Sequence, residues 1–166
     1  MRIEEKVQRF GRGWCWSTVQ EVLLNHDHVR IPVKAEDRAH RKGEYPYYGA
    51  SGAIDTIDGY LFDGPHLLIG EDGANLVTRS KPIAFQAQGR FWVNNHAHVL
   101  TTYCGMPLGY FENYFNLIDL ASFVTGTAQP KLPQAAMNKI SVPIAPLQEQ
   151  ERIVSALESY FTRLDD

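Results

Sequence analysis

The sequence lacks several features that would assign a protein to a broad class. Its 166 residues include only two cysteines, Cys15 and Cys104, which give neither a disulfide framework nor a metal-ligand spacing. No apolar run approaches the roughly 20 residues needed to cross a bilayer. The first ten residues lack the apolar segment of a signal peptide. These absences predict a cytoplasmic protein with reduced thiols and no membrane partner.

An overall excess of positive charge is also missing. The formal net charge is −3, whereas a free-standing DNA-binding domain usually carries a basic excess. The charge is unevenly spread, however, with acidic residues gathered at 112–119 and from Glu149 onward. A local basic face can contact phosphates while other faces meet proteins, although a solvated loop has the same composition. The basic side chains lie between residues 30 and 42, at Arg30, Lys34, Arg38, His40, Arg41 and Lys42.

Motifs for catalysis are absent from the sequence. It has no P-loop, no Gly-rich cofactor loop and no Asn-Pro-Pro-Tyr-like motif of an amino-methyltransferase. Glu71 and Asp72 beside Lys81 could suggest a nuclease carboxylate cluster. An acidic turn after an apolar strand is more often only a turn, and no Glu-x-Lys partner follows. We therefore predict no catalytic residue and no cofactor.

Two histidine pairs raise the question of a metal site. His26 with His28, and His96 with His98, would each place two imidazoles on one face of an extended segment, as a zinc site requires. No set of four Cys and His residues has the spacing of a structural zinc site, so we predict no metal. A metal-dependent hydrolase that uses His96 and His98 remains an alternative.

The patterns that are present predict one α+β domain. Short apolar runs between residues 54 and 102, separated by Gly, Asp and Asn turns, indicate an irregular antiparallel or mixed sheet. Short helices flank it. One follows Ser17 or Thr18 with a capping box closed at Gln20 or Glu21, one follows Pro107 and ends by Gly126, and one opens at Thr127 and runs through Met137. Residues 25–44 show no apolar period and predict a long polar loop.

The last segment predicts a helix from Leu147 to Asp166. Pro146 and a Gln-Glu-Gln-Glu first turn favour its start. Apolar residues spaced four, three and four apart form a coiled-coil seam of about two heptads, which is too short to be stable alone. We expect this stub to dock a partner helix or subunit, and we divide the chain into residues 1–145 and 146–166. The seam residues are Ile153, Leu157, Tyr160 and Leu164.

Three blocks of sequence carry a resemblance to a known family. The first is Gly43-Glu-Tyr-Pro-Tyr-Tyr-Gly-Ala-Ser-Gly52, continued by Leu67-Leu-Ile-Gly-Glu-Asp-Gly73. The second is Phe91-Trp-Val-Asn-Asn-His-Ala-His-Val-Leu100. The third is Gly126-Thr-Ala-Gln-Pro-Lys-Leu132, with Ile140-Ser-Val-Pro-Ile-Ala-Pro-Leu-Gln-Glu-Gln150 after it. In this order the chain resembles the DNA target-recognition domain of type I restriction–modification specificity subunits.

The resemblance implies a non-catalytic protein that reads double-stranded DNA. Members of the family usually carry two such domains, each reading half of a bipartite site, separated by long helices that pair as a coiled coil. The helices hold methyltransferase subunits, and the complex recruits a restriction motor subunit. With one domain and a short helix, this chain is expected to be an excised domain, a truncated product or a half-subunit that pairs with a second copy.

Candidate DNA contacts are side chains that can reach base edges or hold phosphates. Tyr47 and Tyr48 could equally pack on the sheet, Asn94 and Asn95 could form a turn, and Thr127 could be a plain helix cap. We give most weight to the basic members at 38, 41, 42, 79 and 81. The full set is Lys34, Arg38, Arg41, Lys42, Tyr47, Tyr48, Ser51, Arg79, Lys81, Asn94, Asn95, His96, Thr127, Gln129 and Lys131. The alternative from another class is a protein-interaction module that does not touch DNA.

Overall fold

Four antiparallel strands form the central sheet of the computed structural model, which describes residues 11–165 and side chains to residue 163. The strand order is β2-β8-β5-β6. β5 is buried along its whole length because its run His66-Leu-Leu-Ile-Gly70 packs on both faces. The strands are β2 (Leu23–Asn25), β5 (His66–Gly70), β6 (Ala84–Ala87) and β8 (Ala97–Thr102).

A second sheet of three strands carries the aromatic segment. β3 (Tyr45–Gly49) and β4 (Gly52–Ile57) form an antiparallel hairpin with a register shift between Tyr47 and Tyr48. β7 (Trp92–Val93) pairs with β3 in parallel. The tip of the hairpin turns at Gly52, whose φ of 120° suits glycine. A separate antiparallel pair joins β1 (Cys15–Thr18) to β9 (Ser141–Ile144).

Most helices are single turns that connect strands. The longer ones are α4, whose Tyr110, Phe111 and Phe115 are buried, and α6 at the end of the chain. None of the helices in residues 11–165 is long and apolar enough to cross a membrane. The helices are α1 (Val19–Val22), α2 (Ala35–Ala39), α3 (Asn75–Thr78), α4 (Leu108–Leu117), α5 (Gln134–Met137) and α6 (Leu147–Asp165), with a 3-10 turn at Asp27–Val29.

The main core lies between the central sheet and α4, and the start of α6 is attached to it. Ile153 and Val154 of α6 pack against this core. The buried Gln150 donates from Nε2 to the carbonyl of Ala145 at 2.8 Å. A second core cluster contains Phe62 stacked on Phe91 and joins the two sheets. The first half of α6 is therefore packed on the domain, rather than projecting from it.

The α+β prediction is confirmed, and four local predictions need correction. Glu21 accepts from the amide of Thr18 at 2.8 Å, as the capping box predicted, but its helix is one turn between two strands. The predicted polar loop 25–44 contains the 3-10 turn and α2. The helix after Pro107 ends at Leu117, because Ile118 adopts an extended backbone. No helix opens at Thr127.

Candidate nucleic-acid interface

The turn after β5, residues 70–73, holds three loops side by side; we call it the Glu71 turn. The amide of Glu71 donates to the carbonyl of His96 at 2.8 Å, and its carbonyl accepts from Leu132 at 2.7 Å. Gly70 lies against the hairpin tip, where a Cβ would stand 2.9 Å from the carbonyl oxygen of Ala50. The β3–β4 tip, the β7–β8 loop and the segment before α5 therefore share one end of the molecule.

The loop of residues 125–131 is a closed turn, not the helix start that we predicted. Thr125 and Lys131 exchange backbone hydrogen bonds of 2.7 and 2.8 Å. Gly126 has a φ of +78°, and a Cβ there would stand 2.6 Å from the carbonyl of Gln129, so the turn requires glycine. Thr127 and Gln129 are exposed on this turn. Thr127 is therefore not a helix cap, because the next helix begins only at Gln134.

Exposed polar side chains from separate segments meet around the Glu71 turn. Two adjoining clefts of about 500 and 440 Å³ both include Ile54, Asn94 and His96 in their walls. Lys34 and Asn95 line the first cleft, and Ser51 and Asp72 line the second. Lys131 joins the group through the antiparallel bridge between Asp72 and Lys131. We call the exposed members of this group the contact face: Lys34, Ser51, Asn95, His96 and Lys131.

His96 is held in place by both its backbone and its ring. Its amide donates to Oδ1 of Asn94 at 2.8 Å, and its carbonyl accepts from Glu71. Its Nδ1 lies 2.8 Å from each carboxylate oxygen of Asp72. The side chain of His96 is 46% exposed, whereas that of Asp72 is 16% exposed. The outer edge of the imidazole is thus presented in a fixed direction.

A largely buried ion cluster adjoins the contact face, and Lys131 belongs to both. Nη1 of Arg30 is 2.7 Å from Oε2 of Glu71, and Nζ of Lys131 is 3.0 Å from Oε1 of Glu71. His98, fully buried, places Nδ1 2.6 Å from Oδ2 of Asp27 and Nε2 2.8 Å from the carbonyl of Leu132. The cluster, which comprises Asp27, Arg30, Glu71, His98 and Lys131, ties four segments together.

The ion cluster lowers the pKa of both its carboxyl groups. Burial alone would raise the pKa of Asp27, but hydrogen bonding and charge from His98, with the amide of Val99, outweigh it. Burial would likewise raise the pKa of Glu71, and the hydrogen bond from Arg30, the charge of His98 and the hydrogen bond from Lys131 lower it. Both groups are therefore held as carboxylates.

The same residues do not form a metal site. Asp27, Glu71 and His98 lie close enough for their ligand atoms to share an ion, but their oxygens already bind Arg30, Lys131 and the imidazole. Both ring nitrogens of His98 already lie within hydrogen-bond distance of protein oxygens, so neither is free to bind a cation. His96 faces a different carboxylate, that of Asp72. The hydrolase alternative and the nuclease reading of Glu71-Asp72 have no geometric support.

Three of the five basic residues to which we gave most weight form ion pairs within the domain. Arg38 donates to Asp55 at 3.1 Å and to the carbonyl of Val33 at 2.7 Å. Lys42 also contacts Asp55, and Arg41 lies 2.7 Å from Asp58. The hydrogen bonds from Lys42, from the amide of Thr56 and from Arg38 lower the pKa of Asp55 to about 2. These three cations brace α2 and the following loop on β4.

Tyr47, Tyr48 and Asn94 are buried to different degrees. Tyr47 is fully buried, and its hydroxyl accepts from the amide of Val33 at 3.0 Å, so its placement as a DNA contact is corrected to a core role. Tyr48 is partly buried against Phe85 and Phe91. Asn94 is 6% exposed and orients the His96 backbone. Its role on this face is therefore support.

Neither Arg79 nor Lys81 lines the two clefts of the contact face. They line a groove between α4 and α6, with Leu117, Leu157 and Phe161. The guanidinium of Arg79 donates to the carbonyls of Phe115, at 3.1 Å, and Ile118, and so caps the carboxyl end of α4. The exposed Lys81 follows a loop that Asn75 holds by accepting from the Lys81 amide at 3.0 Å. The structure therefore does not group these two residues with the other candidates.

The predicted docking seam is only partly exposed. Ile153 and Leu157 are partly buried, and Ile153 packs on the domain's own core. Tyr160 is 60% exposed and its neighbour Phe161 is 52% exposed. The side chain of Leu164 lies outside the described residues. The later turns of α6 thus present aromatic surface next to the groove that α6 forms with α4.

The sequence analysis did not identify the acidic residues that pair with the basic segment and with His96. Asp55 and Asp58 neutralise cations 13 to 17 residues earlier in the chain. Asp72 orients His96 from 24 residues away. One local signal was available, since Asp55 and Asp58 both fall in or beside the predicted sheet, opposite a basic loop. The pairings themselves depend on how the hairpin folds, which a single sequence does not specify.

Comparison with known proteins identifies the family. The model of the type I restriction modification DNA specificity domain matches residues 14–165. The chain is 34% identical, over 87% of its length, to a type I restriction enzyme specificity subunit of Haemophilus influenzae, and 26% identical over 78% to the EcoprrI specificity subunit of Escherichia coli. The crystal structure of the type I S subunit from M. genitalium shares its fold, with a TM-score of 0.68 at 13% identity over 92% of this chain.

The matches cover only part of those proteins. The chain spans 36% and 32% of the two relatives and 40% of the crystallised subunit. The family match itself extends over nearly the whole of this chain, and the α+β fold and its C-terminal helix agree with it. The chain therefore belongs to the family of type I restriction–modification DNA specificity domains.

Proposed function

We propose that this chain is a non-catalytic DNA target-recognition domain that reads one half of a bipartite site in double-stranded DNA. The observation that carries the proposal is the contact face, in which exposed polar side chains from separate segments converge on one turn. Donors and acceptors held on a rigid support are what sequence reading requires. A role on DNA also favours action in the cytoplasm.

The charge distribution is compatible with this role despite the acidic total. Arg38, Arg41 and Lys42 pair with Asp55 and Asp58, so two of these three positive charges are compensated. We assign phosphate contact to Lys34, which is 78% exposed in a loose 3.8 Å pair with Glu36, and to Lys131, half exposed on Glu71. Thr127 and Gln129, exposed beside Lys131, would extend the surface. With few free cations, the salt dependence of binding is expected to be modest.

For assembly, we propose that residues 1–145 read DNA and that the segment 146–166 begins a docking helix. The family resemblance makes methyltransferase subunits the partners, with the restriction motor subunit recruited through the complex and a second copy of this chain as the other half. Exposed Tyr160 and Phe161, next to Leu157, give α6 an apolar surface for such a partner. One half-site alone should bind modestly, because two linked domains gain from effective concentration.

The test is selection of targets from a random duplex library, followed by binding measurements at several salt concentrations. A single enriched motif, bound more weakly as salt rises, is the expected result. Changing both Lys34 and Lys131 to Ala should weaken binding to all sequences and reduce the slope of log affinity against log salt by about 2. Selection without any enriched motif, together with binding that ignores salt, would reject the proposal in favour of a protein-interaction module.

A further inference from the structure

The carboxylate at the centre of the contact face is unexpected for a surface that meets DNA. Asp72 lines the same cleft as Ser51 and His96, and its side chain keeps 16% exposure. A carboxylate near phosphates is repulsive unless it is paired. Here both oxygens of Asp72 lie 2.8 Å from Nδ1 of His96, so the carboxylate is directed at the ring.

Resting on the function proposed above, we propose that Asp72 is a positioning residue, which holds His96 for a hydrogen bond to a base edge of the target DNA. Asp72 engages Nδ1, which leaves Nε2 as the ring nitrogen for a base contact, and the His96 side chain is 46% exposed. A carboxylate that fixes one nitrogen of a histidine also fixes the role of the other. His96 then reads the base, and Asp72 acts only through His96.

The rigidity of the loop supports base reading over a loose phosphate contact. The amide of His96 is held by Asn94, and its carbonyl is held by the amide of Glu71. Backbone and ring are therefore both ordered before DNA arrives, which lowers the entropic cost of a directional contact. The ammonium group of Lys131, in contrast, is a compact charge that lies beside Glu71. Such a group suits contact with a phosphate.

The sign of the effect separates this role from general electrostatics. Replacing Asp72 removes a negative charge from the surface that meets DNA, so charge alone predicts tighter binding to every sequence. Positioning predicts weaker binding to the selected target and unchanged or tighter binding to unrelated duplexes. The ratio of specific to non-specific affinity is therefore the informative quantity.

The experiment is a double-mutant cycle on the domain bound to its selected duplex. We expect His96→Ala to weaken target binding about 10-fold, which is in the range of one good base contact. Asp72→Ala should weaken it several-fold, and the double variant should be no weaker than His96→Ala, because Asp72 has no role once the ring is gone. The charge-matched control is Asp63→Ala, which breaks the exposed 3.2 Å pair with Arg90 and should leave the specificity ratio unchanged.

Two further results complete the test. A duplex series with each target base pair exchanged should show that His96→Ala relaxes preference at one position only. A uniform loss across all sequences would make His96 a phosphate contact and overturn the readout role. Unchanged or tighter target binding by Asp72→Ala, or losses that add in the double variant, would overturn the positioning role. If the wild-type domain selects no sequence at all, the proposed function fails first, and that outcome is distinguishable.

Discussion

At the scale of single residues, ion pairing decides which charged side chains remain free for a ligand. Glu71 was read from the sequence as part of a plain acidic turn, yet it binds Arg30 and Lys131 at 2.7 and 3.0 Å. Beside it, Asp27 binds the buried His98. A buried ion pair is weak evidence of stability, but removing one member leaves an uncompensated charge. The sequence shows which charged residues are present here, but it does not predict which of them form ion pairs.

Changing His98 to Ala should destabilise the domain strongly. The substitution removes the imidazole partner of the Asp27 carboxylate and leaves the Leu132 carbonyl without its donor. We expect a loss of about 3 kcal/mol in the free energy of unfolding, measured by urea denaturation. Asp63→Ala, which breaks an exposed pair, should cost less than about 1 kcal/mol. Equal losses of unfolding free energy in the two variants would show that the ion cluster stabilises the domain no more than an exposed ion pair does.

Stability should fall in acid in two stages. Burial lowers the pKa of His26 and of His66 below 6.5, so their contribution is present above pH 6.5 and is lost as the pH falls through the lowered values. The lowered pKa values of Asp27 and Glu71 add a second loss below about pH 4. Denaturation at a series of pH values checks this, and His66→Phe should reduce the first stage. Constant stability from pH 7 to 5 would contradict the assignment.

At the scale of elements, the sequence predicts helices and strands that follow a local repeating pattern. It does not predict the loops and helix ends that depend on contacts outside that pattern. The buried strand β5, the start of α4 and the helix α6 follow from local apolar periodicity and capping. The loop of residues 125–131 did not, because its closure depends on the bridge between Thr125 and Lys131. The sequence does not predict the end of α4 either, because the donor that caps it is Arg79, from a different part of the chain.

Changing Arg79 to Asn should destabilise the end of α4 without affecting DNA binding. Arg79 has a φ of 52°, which asparagine tolerates, so the variant removes the guanidinium with little added strain. Loss of its hydrogen bonds to Phe115 and Ile118 should cost about 1–3 kcal/mol of unfolding free energy. Lys81→Asn is the matched exposed control and should cost almost nothing. Weakened target binding by folded Arg79→Asn protein would return this residue to the contact set.

At the scale of the whole molecule, two surfaces of the domain have separate proposed tasks. The contact face lies around the Glu71 turn, and the groove between α4 and α6 is lined by different residues. The matched relatives are longer than this chain, which spans 36% of the first of them. Recognition and assembly should therefore be separable by mutation.

Changing Leu157 to Asp should abolish assembly with a methyltransferase subunit and spare DNA selection. Leu157 lies in the groove beside Phe161, where a charge would oppose an apolar partner. Co-purification reports assembly, and target binding by the same variant reports recognition. Ser155→Asp, at an exposed position of the same helix, is the control. A Leu157→Asp protein that still assembles would reject the seam as a docking surface.

The central claim is that DNA meets the contact face, and not the basic segment of residues 38–42. Amide chemical-shift mapping of the labelled domain with its selected duplex tests this most directly. The largest changes should fall at residues 34, 51, 94–96 and 125–131, with small changes at 40–42 and 79–81. Changes concentrated at Arg38, Arg41 and Lys42, with the contact face unaffected, would contradict it.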